Sequence, residues 1–421
     1  MKIMHKLALL SIVSSLTIVL AIIIITWVKS NEIKSGAKFE IEKLVDSQLD
    51  ALSKSAYGLV HQLDVQIDER LSSNLENFKA LVRQQGGFSV SGSIPNIKAI
   101  NQFTKKETIV SIPALAIGGK PIPLNKDKSI PSPLVDEITK KFKVTATIFV
   151  RMNEEGDMLR IATSVMTKEG KRAAGTYIPK TMPDGNPNKV VSTILKGYDY
   201  IGSAFVVDRW YQTMYSPIKD NSGRIIGMIY IGISLEDVEG LKQTFYQMKF
   251  GENGYVFVII GSGDRKGEYF ISLDGKRDGE NIWEAKDADG KFVIQEIIKI
   301  AKETPEGKTT KYTYFWKNKG EDQAREKVAL IQYFKDFDWV IGTTAYFDEI
   351  YQTSEIVQSG ISEILYYSLI FGIIVAVLAV IASLFFSNKI SNSVMRVTTV
   401  ANLISTGQIN EALIEIKKDK S

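Results

Sequence analysis

The sequence predicts an α+β protein: two tandem modules, each on a mostly antiparallel sheet, carried by a long stalk helix and bracketed by two transmembrane helices. Three observations carry this. Two runs, residues 7–28 and 364–386, contain no charged residue. A stripe of apolar residues at steps of three and four runs from Ile41 to Val82. Between that stripe and the second run, strand-like segments occur in two sets with the same order and similar spacing.

Composition sets the limits. The chain has 421 residues, 44% hydrophobic and 24% charged, with net charge +4. That length suits two or three domains, and the charge is too small to argue for a nucleic-acid partner. There is no cysteine, so no disulfide, thiolate nucleophile or thiolate metal site is possible. Two histidines, His5 and His61, are too few for a histidine-rich zinc site or triad. No Gly-Lys-Ser/Thr phosphate loop occurs, and no carboxylate pair stands apart for acid–base work. The expectation is a non-enzyme without cofactor or metal.

Residues 1–6 read as a cytoplasmic N-terminus and 7–28 as the first transmembrane helix, near the ~20 residues that cross a bilayer. The run is too long for a signal peptide and ends in Ile-Thr-Trp-Val-Lys instead of small residues. Trp27 and Tyr366-Tyr367 stand at span ends, where amphipathic rings prefer the interface. Basic residues flank the first span on both sides, so charge alone does not orient the chain. Long domains translocate largely regardless of charge, and residues 29–363 are expected outside the cytoplasm of a bacterial inner membrane.

Residues 29–85 read as the stalk helix. Its stripe is Ile41, Val45, Leu49, Leu52, Ala56, Leu59, Leu63, Ile67, Leu71, Leu75, Phe78 and Val82. A helix over 30–84 would reach about 80 Å, so the stripe is expected to pair with a partner subunit in a homodimer. Gln84-Gln85-Gly86-Gly87 ends it. The first module follows over 86–238. Residues 105–133 are rich in Pro, Gly and short apolar pieces. Ser132-Pro133 reads as an N-cap and first helical position of a short helix to Phe142. Strands are expected at 144–150, 158–166, 200–207, 211–219 and 224–233, with turns at Glu155-Gly156-Asp157 and Asn221-Ser222-Gly223. The second module, 239–350, has strand-like runs at 254–260, 268–273, 309–316, 327–334 and 338–346 around a helical run at 290–302. The matching order indicates an internal duplication. An exit helix over 351–363, the second transmembrane helix over 364–386 and a cytoplasmic segment over 387–421 complete the reading.

Six pieces carry a family resemblance: PLVDEITKKFKVTATIFVR (133–151), LRIATS…GKRAAGTYIP (159–179), WYQTMYSPIKDNSGRIIGMIYIGI (210–233), GENGYVFVI (251–259), ENIWEAKDADGKFVIQEI (280–297) and FKDFDWVIGTTAYFDEI (334–350). They resemble the double Cache sensor domains of the Cache 3/Cache 2 fusion type. The resemblance implies a PAS-like sheet in each module, a first helix running beside both, and a small extracellular ligand in the membrane-distal module. Residues after the second span resemble the first helix and connector of a HAMP domain, with Ile390, Val394, Val397, Ala401 and Ile404 at heptad spacing and Gly407 after them. Ser393 stands near where many such helices carry proline, and the resemblance extends to neither a second HAMP helix nor an output module within this sequence.

Asp287, Asp289, Gly290 and Glu296 fall at positions three, five, six and twelve of a calcium-loop frame, but Ala285 would stand at position one and cannot ligate. The plainer reading is a helix start capped by Asp289. Cationic and aromatic residues on first-module strands say more. Alternation puts Arg209, Tyr211, Thr213 and Tyr215 on one face, with Trp210, Gln212 and Met214 on the other. A ligand carboxylate calls for a planar bidentate donor and hydroxyls, with aromatic walls. The candidate ligand residues are Arg151, Arg160, Thr163, Arg172, Tyr200, Tyr211 and Tyr215. Asp199 would serve a neutral or cationic ligand instead. The corresponding second-module runs, GYVFVI and EYFISL, lack Arg, so ligand is expected in the first module and not the second.

The combined expectation is a dimeric transmembrane sensor of a small molecule, an anionic metabolite favoured. The resemblance implies methyl-accepting chemotaxis receptors as the nearest full-length kind, acting on a chemotaxis kinase and coupling protein through an output region beyond this sequence. The alternatives are the input half of a histidine kinase or nucleotide cyclase, and a stand-alone receptor acting on a separate output partner.

Overall fold

The computed structural model describes residues 2–207, 209–238, 240–318 and 321–417. They form two compact units, residues 1–48 with 347–421, and residues 49–346. The helix α1 (Lys2–Gln84) begins in the first unit and continues into the second.

The first unit contains both apolar runs. They lie within α1 and within the last long helix, Phe347–Ser405, and each is long and apolar enough to cross a membrane, with none of its described residues buried. The latter helix ends at Gly407, whose φ of +84° suits a residue without Cβ. The Gln408 N–H donates to the Leu403 carbonyl at 2.9 Å, closing the helix end. A short helix, Ile409–Lys417, follows.

In the second unit α1 stops where the glycines stand, the Gly87 N–H donating to the Val82 carbonyl at 2.9 Å. The elements after it are β1 (Phe88–Asn101), β2 (Glu107–Ile117), β3 (Lys120–Pro121), α2 (Pro133–Phe142), β4 (Thr145–Arg151), β5 (Met158–Thr163), β6 (Thr176–Ile178), α3 (Lys189–Leu195), β7 (Tyr200–Val206), β8 (Arg209–Lys219) and β9 (Ile225–Ser234). They make one sheet in the order β3-β2-β1-β6-β5-β4-β9-β8-β7. Next come α4 (Leu241–Gln247), β10 (Lys249–Phe250), β11 (Gly254–Ile260), β12 (Tyr269–Ile271), α5 (Val293–Glu303), β13 (Thr310–Trp316), β14 (Arg325–Phe334) and β15 (Trp339–Tyr346). Their sheet runs β10-β11-β15-β14-β13, with β12 on β11. The helix Phe347–Ser405 is α6 and Ile409–Lys417 is α7.

The duplication is visible as topology. The first sheet contains β5-β4-β9-β8-β7 and the second β12-β11-β15-β14-β13, one antiparallel order used twice. The hairpin β1–β2 is the large addition to the first copy, and the sequence reading did not contain it. Its pairing slips between Val90 and Ser93 and again between Ile94 and Ile97. Gly92, Pro95 and Pro113 break the alternation that would announce a strand.

Two helix starts differ from expectation. Pro133 opens α2, but the Ser132 hydroxyl makes no cap bond; the Ser132 N–H donates to Asp136 Oδ2 at 2.7 Å instead. Asp289 does not cap α5, which begins at Val293 after Phe292. The Asp287 carboxylate holds the preceding turn by accepting from the N–H groups of Asp289 (3.0 Å) and Lys291 (2.8 Å).

The stripe on α1 is also used differently. Leu49, Ala56, Ile67, Leu71, Leu75, Phe78 and Val82 are buried within a single chain. From Ala56 onward they pack with Ile148, Val150, Ile229 and Ile231 of the first sheet and Val256, Val258 and Ile341 of the second. From Ala56 on the seam serves the chain's own sheets, because two sheets give a long helix enough apolar surface to cover. Polar contacts fix the same helix. Gln332 Nε2 donates to the Ser53 carbonyl at 2.9 Å, and Gln212 Nε2 donates to Asp64 (3.2 Å) and Asp68 (2.9 Å).

Burial, then the charges of Asp68 and Asp336, push the Asp64 carboxyl up to about 6, with His61 opposing. The folded value lies above the unfolded one, so the chain binds this proton more tightly when folded. Stability from Asp64 is therefore greatest in acid and is lost as pH rises from about 4 through 6. Asp64→Asn is expected to raise the unfolding midpoint more at pH 7.5 than at pH 5. Equal shifts at the two pH values would remove Asp64 as the cause.

Candidate functional site

The face of the first sheet turned away from α1 carries the chemistry. Phe149, Met158, Val165, Tyr211, Tyr215 and Tyr230 form its core, roofed by Val190, Val191 and Ile194 of α3. Asn188 starts α3 by accepting the N–H of Val190 at 3.0 Å and of Val191 at 3.3 Å.

A register slip in β5 makes the site. Thr163 opposes Thr147, Ala162 opposes Ile148, and Arg160 opposes Phe149, leaving Ile161 as an extra residue. Strict alternation puts residues three apart on opposite faces. The bulge returns Arg160 and Thr163 to one face.

Arg160 is completely buried. Its Nη1 donates to Thr176 Oγ1 at 2.6 Å and its Nη2 to Gln102 Oε1 at 3.1 Å. The guanidinium lies 5.0 Å from the Phe149 ring centroid, and its Nε has no partner. These neighbours are neutral. Burial pushes the guanidinium down from its ordinary range, and only the hydroxyls of Tyr215, Tyr230 and Tyr211 oppose that. The Tyr215 ring stands 4.9 Å from Tyr230, 6.1 Å from Tyr200 and 6.2 Å from Phe149. Burial pushes the Tyr215 and Tyr230 hydroxyls up, so both stay neutral and able to donate. Thr147 and Thr163 share a hydrogen bond of 2.6 Å. A Cβ on Gly232 would lie 2.2 Å from the Tyr230 hydroxyl; glycine there lets the phenol lie along its own strand.

Of the candidate residues, the fold brings together Arg160, Thr163, Tyr200, Tyr211 and Tyr215. Arg172 is held by both oxygens of Asp136 (2.8 and 2.9 Å) and donates to the Thr163 carbonyl at 2.9 Å, tying its loop to α2. Arg151 turns to the Asn153 carbonyl at 3.1 Å and to Glu154. Asp199 accepts from Ser216 at 2.5 Å and from Lys79 of α1 at 3.0 Å. Sequence reasoning missed Phe149, Tyr230, Gln102 and Thr176. Tyr230 carried a signal, as the one polar-tipped side chain in IIGMIYIGI. Gln102 and Thr176 carried none, being brought in by the parallel pairing of β1 with β6.

A model of the Cache 3/Cache 2 fusion domain matches residues 35–360. The chain belongs to the Cache 3/Cache 2 fusion family. As a Cache sensor it combines a ligand-binding type of fold with two helices apolar enough to cross a membrane. Among similar proteins, the sensor histidine kinase MctS of Rhizobium johnstonii is 24% identical over 168 residues, which cover 37% of this Cache chain and 34% of MctS. The chain thus matches about a third of that relative's length. The periplasmic sensory domain of the Campylobacter jejuni chemoreceptor Tlp1 is 12% identical, with 74% of this chain and 98% of that one covered at a TM-score of 0.36. The sensory domain of Tlp3 from the same organism, solved with isoleucine bound, is 13% identical, with 75% and 97% covered at a TM-score of 0.37.

Proposed function

We propose that this chain is the input half of a bacterial inner-membrane receptor, and that its first module binds a small anionic ligand between Arg160 and the tyrosines. One observation carries the reading: a fully buried guanidinium whose described neighbours are neutral hydroxyls, an amide and a ring. Burying a cation without a counter-charge is expensive. A carboxylate arriving against Arg160, with Tyr211, Tyr215 or Thr163 donating, supplies that charge. Chemotaxis is the favoured output. Input to a sensor histidine kinase is the second reading, favoured by the likeness to MctS. The segment that follows Ser421 in the encoding gene separates the two, since a long heptad coiled coil means chemotaxis and a kinase core means the other.

Ligand class is tested on the full chain in detergent, by thermal shift against short monocarboxylates, dicarboxylates, amino acids and polyamines. Carboxylate-bearing compounds are expected to raise the unfolding midpoint. A response to polyamines alone would overturn the anionic reading. Topology is tested at Asn186, which is exposed in a turn. The chain has no cysteine of its own, so Asn186→Cys gives a single label site. It is expected to react with an impermeant maleimide in intact cells; reaction only after lysis would place the modules in the cytoplasm.

A further inference from the structure

The sequence reading puts the ligand in the first module and not the second, because the first two strand-like runs of the second carry no arginine. The second module nevertheless holds a buried cation on another strand. Lys327 of β14 is 1% exposed. It stands opposite Tyr314 of β13 and Tyr346 of β15. Its ammonium lies 3.9 Å from the Tyr255 ring centroid and 5.0 Å from that of Tyr346. Glu321 is the carboxylate that favours its charge, and Glu321 also faces Arg325 at 3.6 Å. Burial outweighs that help and pushes the ammonium well below its ordinary range.

Packing alone does not call for this lysine. Its neighbours along the same face, Ala329 and Ile331, belong to the apolar core under α5, where a methionine would fill the slot without desolvating a charge. Ring faces attract a cation but supply no acceptor for its three N–H groups. Polar groups cluster at the same end of the sheet. Asn318 Nδ2 donates to the Tyr346 hydroxyl at 2.6 Å and to Glu321 Oε1 at 3.0 Å, which fixes the Tyr346 ring edge, and burial keeps the hydroxyls of Tyr255 and Tyr314 protonated. The two modules therefore share a pattern. Each places one fully buried cation among tyrosines on the sheet face covered by its own helix, α3 or α5.

We propose that the second module holds a second small-anion site centred on Lys327, with Tyr255 and Tyr346 as its polar wall and Tyr314 and Trp316 as its apolar one. A single ammonium is a point charge, unlike the fork of Arg160. Two rings stand within 3.9 and 5.0 Å of the ammonium, which favours a small ligand over a large one. The ligand class is accordingly a compact monocarboxylate with a short apolar tail. The site stands on its own residues and does not depend on Arg160 binding anything.

The test uses the full chain in detergent with sodium propionate as probe, in the Arg160→Met background, so that the first module's cation is absent. The unfolding midpoint is followed against propionate at constant ionic strength. A saturable rise is expected in Arg160→Met. It is expected to vanish when Lys327→Met is added, and to need roughly tenfold more propionate when Tyr346→Phe is added instead. Tyr346→Phe keeps the ring and the fold, so it decides the matter if the lysine variant does not fold. No rise in Arg160→Met would overturn the second site, as would an unchanged titration after either second substitution or an equal rise with sodium chloride. The first site is judged separately, by comparing wild type with Arg160→Met.

Discussion

Arg160→Met is expected to cost the first module its ligand while leaving the fold at least as stable. The two results together are diagnostic. Within the fold the guanidinium has given up its water for two neutral acceptors and a ring. Replacing a buried ion by an apolar side chain of similar volume is commonly neutral or stabilising. The loss is one donor each for Gln102 and Thr176, and Thr176 Oγ1 keeps its own bond to the Ala173 carbonyl at 2.8 Å. A charge-assisted hydrogen bond to a ligand contributes about 1.5–3 kcal/mol, so affinity is expected to fall by roughly tenfold to a hundredfold. Calorimetry with a carboxylate from the thermal-shift panel, beside a denaturation curve, measures both. A destabilised variant with unchanged affinity would make Arg160 a structural residue and sink the assigned site.

Leu71→Ala is expected to lower the stability of the sheet-bearing unit by about 3 kcal/mol, the middle of the range for a buried leucine. Leu71 is fully buried, as is Phe78 two turns on, and Leu75 nearly so. All three pack inside one chain, so the loss is expected to be the same at all protein concentrations. A loss that shrinks as concentration rises would put the seam between subunits, which is where the length of the stripe alone would place it. Any homodimer contact of α1 has to use residues outside the buried seam of 49–82.

Much of the fold was legible because local rules decide it. Strand β11 coincides with the expected run 254–260, since its residues are β-branched or aromatic and bounded by glycines. The hairpins β4–β5 and β8–β9 turn at Gly156 and Gly223, both at positive φ, as the glycine-bearing turns required. Other elements were invisible for equally physical reasons. The exposed, bulged β1 has no alternation to read. The seven residues of α3 are too few to show a helical period, and their burial comes from the sheet beneath.

The candidate site divides the same way. Tyr211 and Tyr215 were readable as sharing a face because they lie four apart on a regular strand. Arg160 and Thr163 were not, because the bulge at Ile161 reverses the parity between them. Arg172 and Arg160 look alike in sequence, yet one meets both oxygens of Asp136 and the other meets neutral groups.

The sequence by itself determined the two apolar helices, the doubled module and the supply of cations and tyrosines, because hydropathy, period and turn chemistry act over a few residues. Only the tertiary structure decided which cation is left without a counter-charge, and which surface the long helix covers. Both depend on partners scores of residues away. A charge pair or a packed seam is settled by which groups the sheets bring within a few ångströms, and no local pattern encodes that distance.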